Sequence, residues 1–204
     1  MIHVRSLVFV ALFYLWSTFI AVSMTPLFVC PRRWVMYGLT VYGHGICILL
    51  TLICGIRVEV RGREHMPTGP ALLAAKHQCM FDIFGQFAWL PNSCFVMKKE
   101  LRTVPYLGWY ALKAGMIVVD REGHASALKK MVRDTVARVK GEGRQVVIFP
   151  EGTRGEPGQK VDYKPGIAAM YRSLDMAVVP VATNSGVHWP AHGFLRRPGV
   201  IVFE

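Results

Sequence analysis

The residues whose types and order can do chemistry gather at two places in the chain. "AAKHQCMFDIF", residues 74–84, sets His77 five positions ahead of Asp82, with Lys76 alongside. At ~100° per residue, five positions on a regular helix separate two side chains by about 140°. The pair can therefore meet only if the chain turns between them, as at a strand-to-helix junction. There a carboxylate accepts a hydrogen bond from one imidazole nitrogen and leaves the other as a general base. From this segment alone, a helix-capping Asp82 beside a partly buried His77 is the plainer reading. The second place is "FPEGTR", residues 149–154. Pro150 ends a strand, Gly152 permits a tight turn, and Thr153 and Arg154 offer donors to an anion. Arginine suits phosphate because its planar fork binds two oxygens at once. The plainer alternative is a surface turn closed by a Glu151–Arg154 ion pair, a common and weak arrangement.

The elements that must position these groups follow from the texture after residue 57, where short β-rich runs alternate with helical ones. Strands are predicted at Val58–Val60, Ala71–Ala75, Cys94–Met97, Met116–Val119, Val146–Phe149, Val178–Val181 and Val200–Phe203. The clearest helix is 125–140, with Leu128, Met131, Val132, Thr135, Val136 and Val139 on one face, stopped by Gly141 and Gly143. Strands separated by helices imply an α/β fold with a largely parallel central sheet flanked by helices. Ligands of such sheets bind beyond the carboxyl ends of the strands. His77, Lys98, Arg121 and the Glu151–Arg154 cluster all follow predicted strands, so a parallel sheet would bring four polar groups to one edge.

Composition narrows the setting. The chain has 204 residues, enough for one domain with a sizeable core. Net charge is +11, apolar residues make up 52%, and mean hydropathy is +0.33. A basic, apolar protein suits an anionic membrane surface or nucleic acid, and the placement of the apolar residues favours the membrane. Residues 6–24 are uncharged and long enough to cross a bilayer; 34–56 form a second uncharged stretch. Arginines stand before, between and after the two stretches, at Arg5, Arg32, Arg33 and Arg57. Two full spans would break the positive-inside rule, whereas a hairpin dipping into one leaflet keeps the arginines at one interface. Residues 1–56 are thus expected to be a two-helix membrane hairpin and 57–204 the α/β domain. A cleaved signal peptide ending near Ala21-Val22-Ser23 is the weaker alternative, since the second stretch would still hold the protein in the membrane. The five cysteines have no C-x-x-C spacing and lie mostly in apolar runs, which reads as a reduced protein without a zinc site. His188 and His192 have helical i,i+4 spacing, but Pro190 between them argues against a metal pair.

The order of blocks resembles a known family. His-x4-Asp at 77–82 followed by Phe-Pro-Glu-Gly-Thr-Arg at 149–154 is similar to the glycerolipid acyltransferases, specifically the bacterial 1-acylglycerol-3-phosphate acyltransferases. "GMIVVDR" (115–121), "VVPVATNSG" (178–186), "VMKKEL" (96–101) and "YKPGIAAM" (163–170) also match in order, and the resemblance covers about residues 58–204. It implies a glycerolphosphate acyltransferase-like fold behind an N-terminal membrane hairpin, and an enzyme of phospholipid biosynthesis. The implied reaction moves a fatty acyl group from acyl-CoA or acyl carrier protein to the sn-2 hydroxyl of lysophosphatidate, giving phosphatidate. His77 would be the general base and Asp82 its orienting carboxylate. Lys98, Arg121, Glu151, Gly152, Thr153 and Arg154 would hold the acceptor's phosphate and glycerol, with Arg121 and Arg154 forming a fork at the ends of neighbouring strands. The oxyanion donors are expected among backbone amides near the Val-Pro-Val turn or at the start of the helix after His77. No metal or cofactor is implied beyond the acyl donor, and the implied location is the bacterial inner membrane, monotopic, with the site facing the cytoplasm.

The chain also departs from the pattern. The family often has Asn before the histidine and Ser two residues after it; here Lys76 and Cys79 stand there. Lys76 is expected to raise the local positive potential. Cys79 raises the question of a covalent acyl-cysteine, though a buried small residue is the simpler state. Family members usually continue beyond such a last strand, so a further segment is expected after Glu204. Two other functions fit less well. An acyltransferase for another lysolipid, a lyso-ornithine lipid or another lysophospholipid, keeps the chemistry, but an acceptor without phosphate would have little use for Arg121 and Arg154 together. A non-catalytic membrane or nucleic-acid binder is supported only by charge, and the sequence carries no known nucleic-acid module.

Overall fold

The computed structural model describes residues 1–120 and 124–204. Two long apolar helices come first, α1 (Ile2–Ser23) and α2 (Arg32–Leu49), the second continued by a wider turn to Cys54. Gly55 ends it in the left-handed conformation that glycine adopts without steric cost (φ 68°), and turns the chain into strand β1 (Ile56–Val60). The remaining elements are β2 (Ala71–Ala75), α3 (Phe81–Phe84), β3 (Ser93–Lys98), α4 (Leu107–Lys113), β4 (Ile117–Val119) and α5 (His124–Val136). After these come β5 (Gln145–Ile148), α6 (Gly166–Leu174), β6 (Val178–Val181), α7 (Ser185–His188) and β7 (Gly199–Phe203).

Every predicted strand is present, with ends displaced by at most two residues. The central sheet has five strands in the order β4-β3-β5-β2-β6, every pairing parallel. β2 and β5 lie at its centre and are almost wholly buried, which is why both read as unbroken apolar runs. The predicted apolar face of α5 is the face the helix turns inward, with Met131 and Thr135 buried, and Val139 continues it in the wider turn Ala137–Gly141 that follows. Two expectations need correction. β1 and β7 are not in the central sheet: they pair in parallel with each other, and an antiparallel bridge, Thr183 to Phe203, links them to the segment just after β6. Their inward residues Ile56, Ile201 and Phe203 serve a separate apolar cluster with Phe9, Phe13 and Trp189, which separates them from the main core. And β4 and β5, which lead to Arg121 and Arg154, are not neighbours, because β3 runs between them.

The hairpin lies along the α/β domain and is held at both ends. At its open end Arg5 donates to the carbonyl of Ile53, and Ser6 Oγ accepts from the Arg196 amide at 2.8 Å. At its closed end Arg32 and Arg138 pair with Glu142, while Tyr110 OH donates to the Ala21 carbonyl at 2.6 Å. One side of each helix packs inward: Phe9, Phe13, Ile46 and Leu50 join the second cluster, and Met24, Val35 and Met36 join the main core. The other side leaves Leu7, Tyr14, Leu15, Phe19, Trp34, Tyr37, Ile48 and Leu52 exposed. Both helices are long and apolar enough to cross a membrane.

Candidate active site

Because the sheet is parallel, β2, β3, β4 and β5 present their carboxyl ends on one edge, and the chain reverses there into the loops that carry the polar residues. β2 ends at Ala75, and the turn that follows brings His77 Nδ1 to 3.2 Å from Asp82 Oδ2. The same oxygen accepts the backbone N–H groups of Gln78 (2.5 Å) and Cys79 (2.8 Å). Asp82 therefore fixes the imidazole and ties down the turn ahead of α3. It does not cap the helix: it lies in the first turn of α3, whose N-cap residue, Met80, makes no side-chain cap bond. Asp82 is fully buried, while the His77 side chain keeps 13% of its surface exposed. Among the described residues no group bonds to Nε2, which leaves it available to a substrate.

The loop after β5 grips His77 from the other side. Glu151 is buried, and its Oε2 accepts the His77 N–H at 3.3 Å. The Gly155 N–H donates to the His77 carbonyl at 2.8 Å. Phe149 stacks on the imidazole, with ring centroids 4.1 Å apart and planes 21° from parallel. Gly152 (φ 65°) makes the tight turn, its N–H bonded to the Phe149 carbonyl. The two sequence motifs are thus one structure: the second immobilises the main chain and ring face of the first.

Lys76 corrects the sequence reading. Its ammonium pairs with Glu151 Oε1, so its charge neutralises a buried carboxylate instead of adding to the local positive potential. A carboxylate this deeply buried is stable only with such a partner. The ion pair closing the turn thus runs from Glu151 to Lys76 and not to Arg154, whose exposed guanidinium, among the described residues, reaches only the Ala191 carbonyl at 3.5 Å. Thr153 is exposed beside it. Lys98 is the exposed last residue of β3, on the same edge of the sheet. Arg121 lies outside the described residues. His77, Asp82 and Glu151 are therefore directly linked, while Thr153, Arg154 and Lys98 border them with side chains open to solvent.

Four backbone amides close to the places expected to serve an oxyanion are engaged elsewhere. Those of Gln78 and Cys79 bond Asp82, and those of Ser185 and Gly186 bond Thr183 Oγ1 and Gln78 Oε1. The Gln78 latch to Gly186, the Phe149 stack and the Gly155 bond were missed from sequence. Only Phe149 left a trace there, as the last apolar residue of a strand run. His188 Nδ1 lies 3.0 Å from the Arg197 carbonyl, a contact consistent with a structural role.

Cys79 is fully buried, and burial together with the neighbouring Asp82 carboxylate pushes its thiol far above the usual range. The thiol, and not the nucleophilic thiolate, is the stable form. Cys79→Ala is expected to keep most of the parent turnover. Intact-protein mass spectrometry with acyl donor alone should show no acylated protein; an acyl group mapped to Cys79 would overturn this.

Comparison with known proteins gives the family and the fold. The family model described as "Acyltransferase" matches residues 57–184. The chain is 35% identical over 153 residues to a 1-acyl-sn-glycerol-3-phosphate acyltransferase of Pseudomonas aeruginosa, an alignment covering 75% of this chain and 59% of that protein. The Helicobacter pylori protein of the same name is 32% identical over 166 residues, covering 78% and 68%. The mouse 1-acyl-sn-glycerol-3-phosphate acyltransferase alpha is 31% identical over 176 residues, covering 83% and 59%. The chain therefore spans about three-fifths of the length of the Pseudomonas and mouse relatives. The crystal structure of the 1-acyl-sn-glycerophosphate (LPA) acyltransferase PlsC from Thermotoga maritima superposes with a TM-score of 0.78 at 22% identity, over 100% of this chain and 84% of that one, which establishes the fold. With a family match that runs from β1 to just past β6 and includes His77, Asp82 and the 149–154 loop, the chain belongs to the acyltransferase family.

Proposed function

We propose that the protein is a 1-acyl-sn-glycerol-3-phosphate O-acyltransferase, transferring a fatty acyl group from acyl-CoA or acyl carrier protein to the sn-2 hydroxyl of lysophosphatidate. The observation that carries the chemistry is the His77–Asp82 pair with Nε2 unoccupied. Neutral His77 takes the acceptor's hydroxyl proton on Nε2 as that oxygen attacks the thioester carbonyl, and Asp82 stabilises the imidazolium. Collapse of the tetrahedral intermediate breaks the carbon–sulfur bond, and the leaving thiolate takes the proton back from Nε2. The acceptor's identity is drawn from the relatives' names and from the cationic groups around the site, Lys98, Arg121 and Arg154, with Gly152 and Thr153 shaping the loop. Glu151 acts by fixing the loop, since both its oxygens are engaged by Lys76 and the His77 amide.

The setting we propose is a membrane surface facing the cytoplasm. Burying a large apolar side chain is worth about 1.5–3 kcal/mol relative to exposure, so the row of exposed apolar residues on α1 and α2 is strongly favoured in lipid. Contacts at both ends of the hairpin keep it flat against the α/β domain. It then lies in the bilayer plane, and the arginines at its two ends share one interface.

The acceptor is tested at Arg154. Losing a charge-assisted hydrogen bond costs about 1.5–3 kcal/mol, so Arg154→Ala should lower kcat/KM for lysophosphatidate by roughly 10–150-fold. Arg154→Lys should restore only part, lacking the planar fork. A neutral monoacylglycerol, a poor acceptor for the parent, should be little affected. Equal losses on both acceptors would assign Arg154 to the 189–194 loop it touches and remove phosphate as the recognised group.

A further inference from the structure

We propose that α4 and the loop leading into it form a second membrane-seated element beside the hairpin, with Tyr106, Trp109 and Leu112 placed at the headgroup–acyl boundary of a lipid bilayer. The proposal rests on the reading of the hairpin as a membrane surface and extends it to a part of the α/β domain.

Single exposed apolar residues are ordinary, but these are continuous with the hairpin. Phe28, in the hairpin's closed end, stacks on Tyr110 of α4 with centroids 4.6 Å apart and planes 12° from parallel. Tyr110 OH is bonded to the last turn of α1 at Ala21. Tyr106 then contacts both Tyr110 and Trp109, so an aromatic series leads from the hairpin tip outward. Its outer members are open: Trp109 is 49% exposed and Leu112, one turn on, 44%. Val29 at the hairpin tip is 93% exposed. Tryptophan and tyrosine are the side chains enriched at membrane interfaces.

The loop is also built to hold this shape. Residues 102–107 are all exposed, yet the segment is closed on itself, with the Gly108 N–H on the Val104 carbonyl at 2.8 Å. A Cβ at position 108 would lie 2.2 Å from the Arg102 carbonyl oxygen. Tyr106 has φ 60°, a conformation that is costly for a bulky residue. Such a conformation persists only where the surrounding contacts hold it in place. Segment 101–114 carries Arg102 and Lys113 and no carboxylate, which suits anionic headgroups. Because the loop starts from the end of β3 at Lys98, seating it in the bilayer would bring the open edge of the site to the lipid surface from which a lysolipid arrives.

The test is tryptophan quenching in the full-length protein, reconstituted in phosphatidylcholine–phosphatidylglycerol vesicles containing lipid brominated near the headgroup end of its chains. The parent is compared with Trp109→Phe and Trp34→Phe, the latter reporting the hairpin. If α4 is seated in lipid, each substitution removes about one tryptophan's share of the quenchable emission. Loss of that share in Trp34→Phe but not in Trp109→Phe overturns the proposal and leaves the hairpin reading standing. Loss in neither overturns both. Acyltransferase activity does not enter the readout, so a failed enzymatic assignment would show separately.

Discussion

Replacing His77 with alanine is expected to lower turnover by roughly 10²–10⁴-fold while the protein stays folded. The size follows from the role left to the side chain: Nδ1 faces Asp82, and Nε2 is the basic atom of the linked group of His77, Asp82 and Glu151 that no neighbour among the described residues occupies. Retention of the fold follows from the main chain. The bonds that hold this turn to the 149–155 loop use the His77 N–H and carbonyl, which alanine keeps. The loss of the ring's stack on Phe149 costs some stability, at the scale of about 0.5–1.5 kcal/mol for an aromatic pair beyond its buried area. The check is steady-state kcat beside a thermal unfolding curve. Near-normal turnover in a folded variant would end the general-base mechanism.

Asp82→Asn is expected to fall nearly as far, for an electrostatic reason. Two backbone amides donate to Oδ2, so an asparagine would keep its oxygen turned toward them and toward Nδ1. The tautomer of His77 is then preserved, and what disappears is the negative charge that stabilises imidazolium in the transition state. Since that charge matters most once the proton has moved, kcat should drop by roughly 10²–10⁴-fold with KM for the acceptor little changed. A raised KM at unchanged kcat would instead mean that Asp82 only shapes the acceptor's binding site. Asp82→Ala would add the cost of orphaning the Gln78 and Cys79 amides, and so should also lower stability.

How far the sequence disclosed this structure depended on whether a feature is local. The strands were legible because β2 and β5 are buried on both faces and read as short apolar runs, and α5 because its buried residues recur at helical spacing. The link between His77 and Asp82 was legible because five residues of spacing demand a turn. Strand order was not: nothing in the residues of β3 says that it lies between β4 and β5, and the fork of Arg121 with Arg154 at adjacent strand ends failed on that point. Lys76 was misread for a similar reason. Its partner, Glu151, is 75 residues away, and only the fold shows that the two charges cancel. The hairpin's composition was plain in the sequence, but its flat attachment at both ends depends on contacts with Glu142, Tyr110 and Arg196, which no periodicity reveals.

The most direct test of the central claim is acyl transfer by the purified full-length chain in lipid vesicles. Radiolabelled acyl-CoA, and separately acyl carrier protein, would be supplied with lysophosphatidate, lysophosphatidylcholine, a lyso-ornithine lipid or no acceptor. The account predicts labelled phosphatidate with at least one donor, strongest with lysophosphatidate, and its disappearance in His77→Ala. Label entering another lysolipid in preference would contradict the acceptor assignment, and no His77-dependent transfer to any acceptor would contradict the claim that this site catalyses acyl transfer.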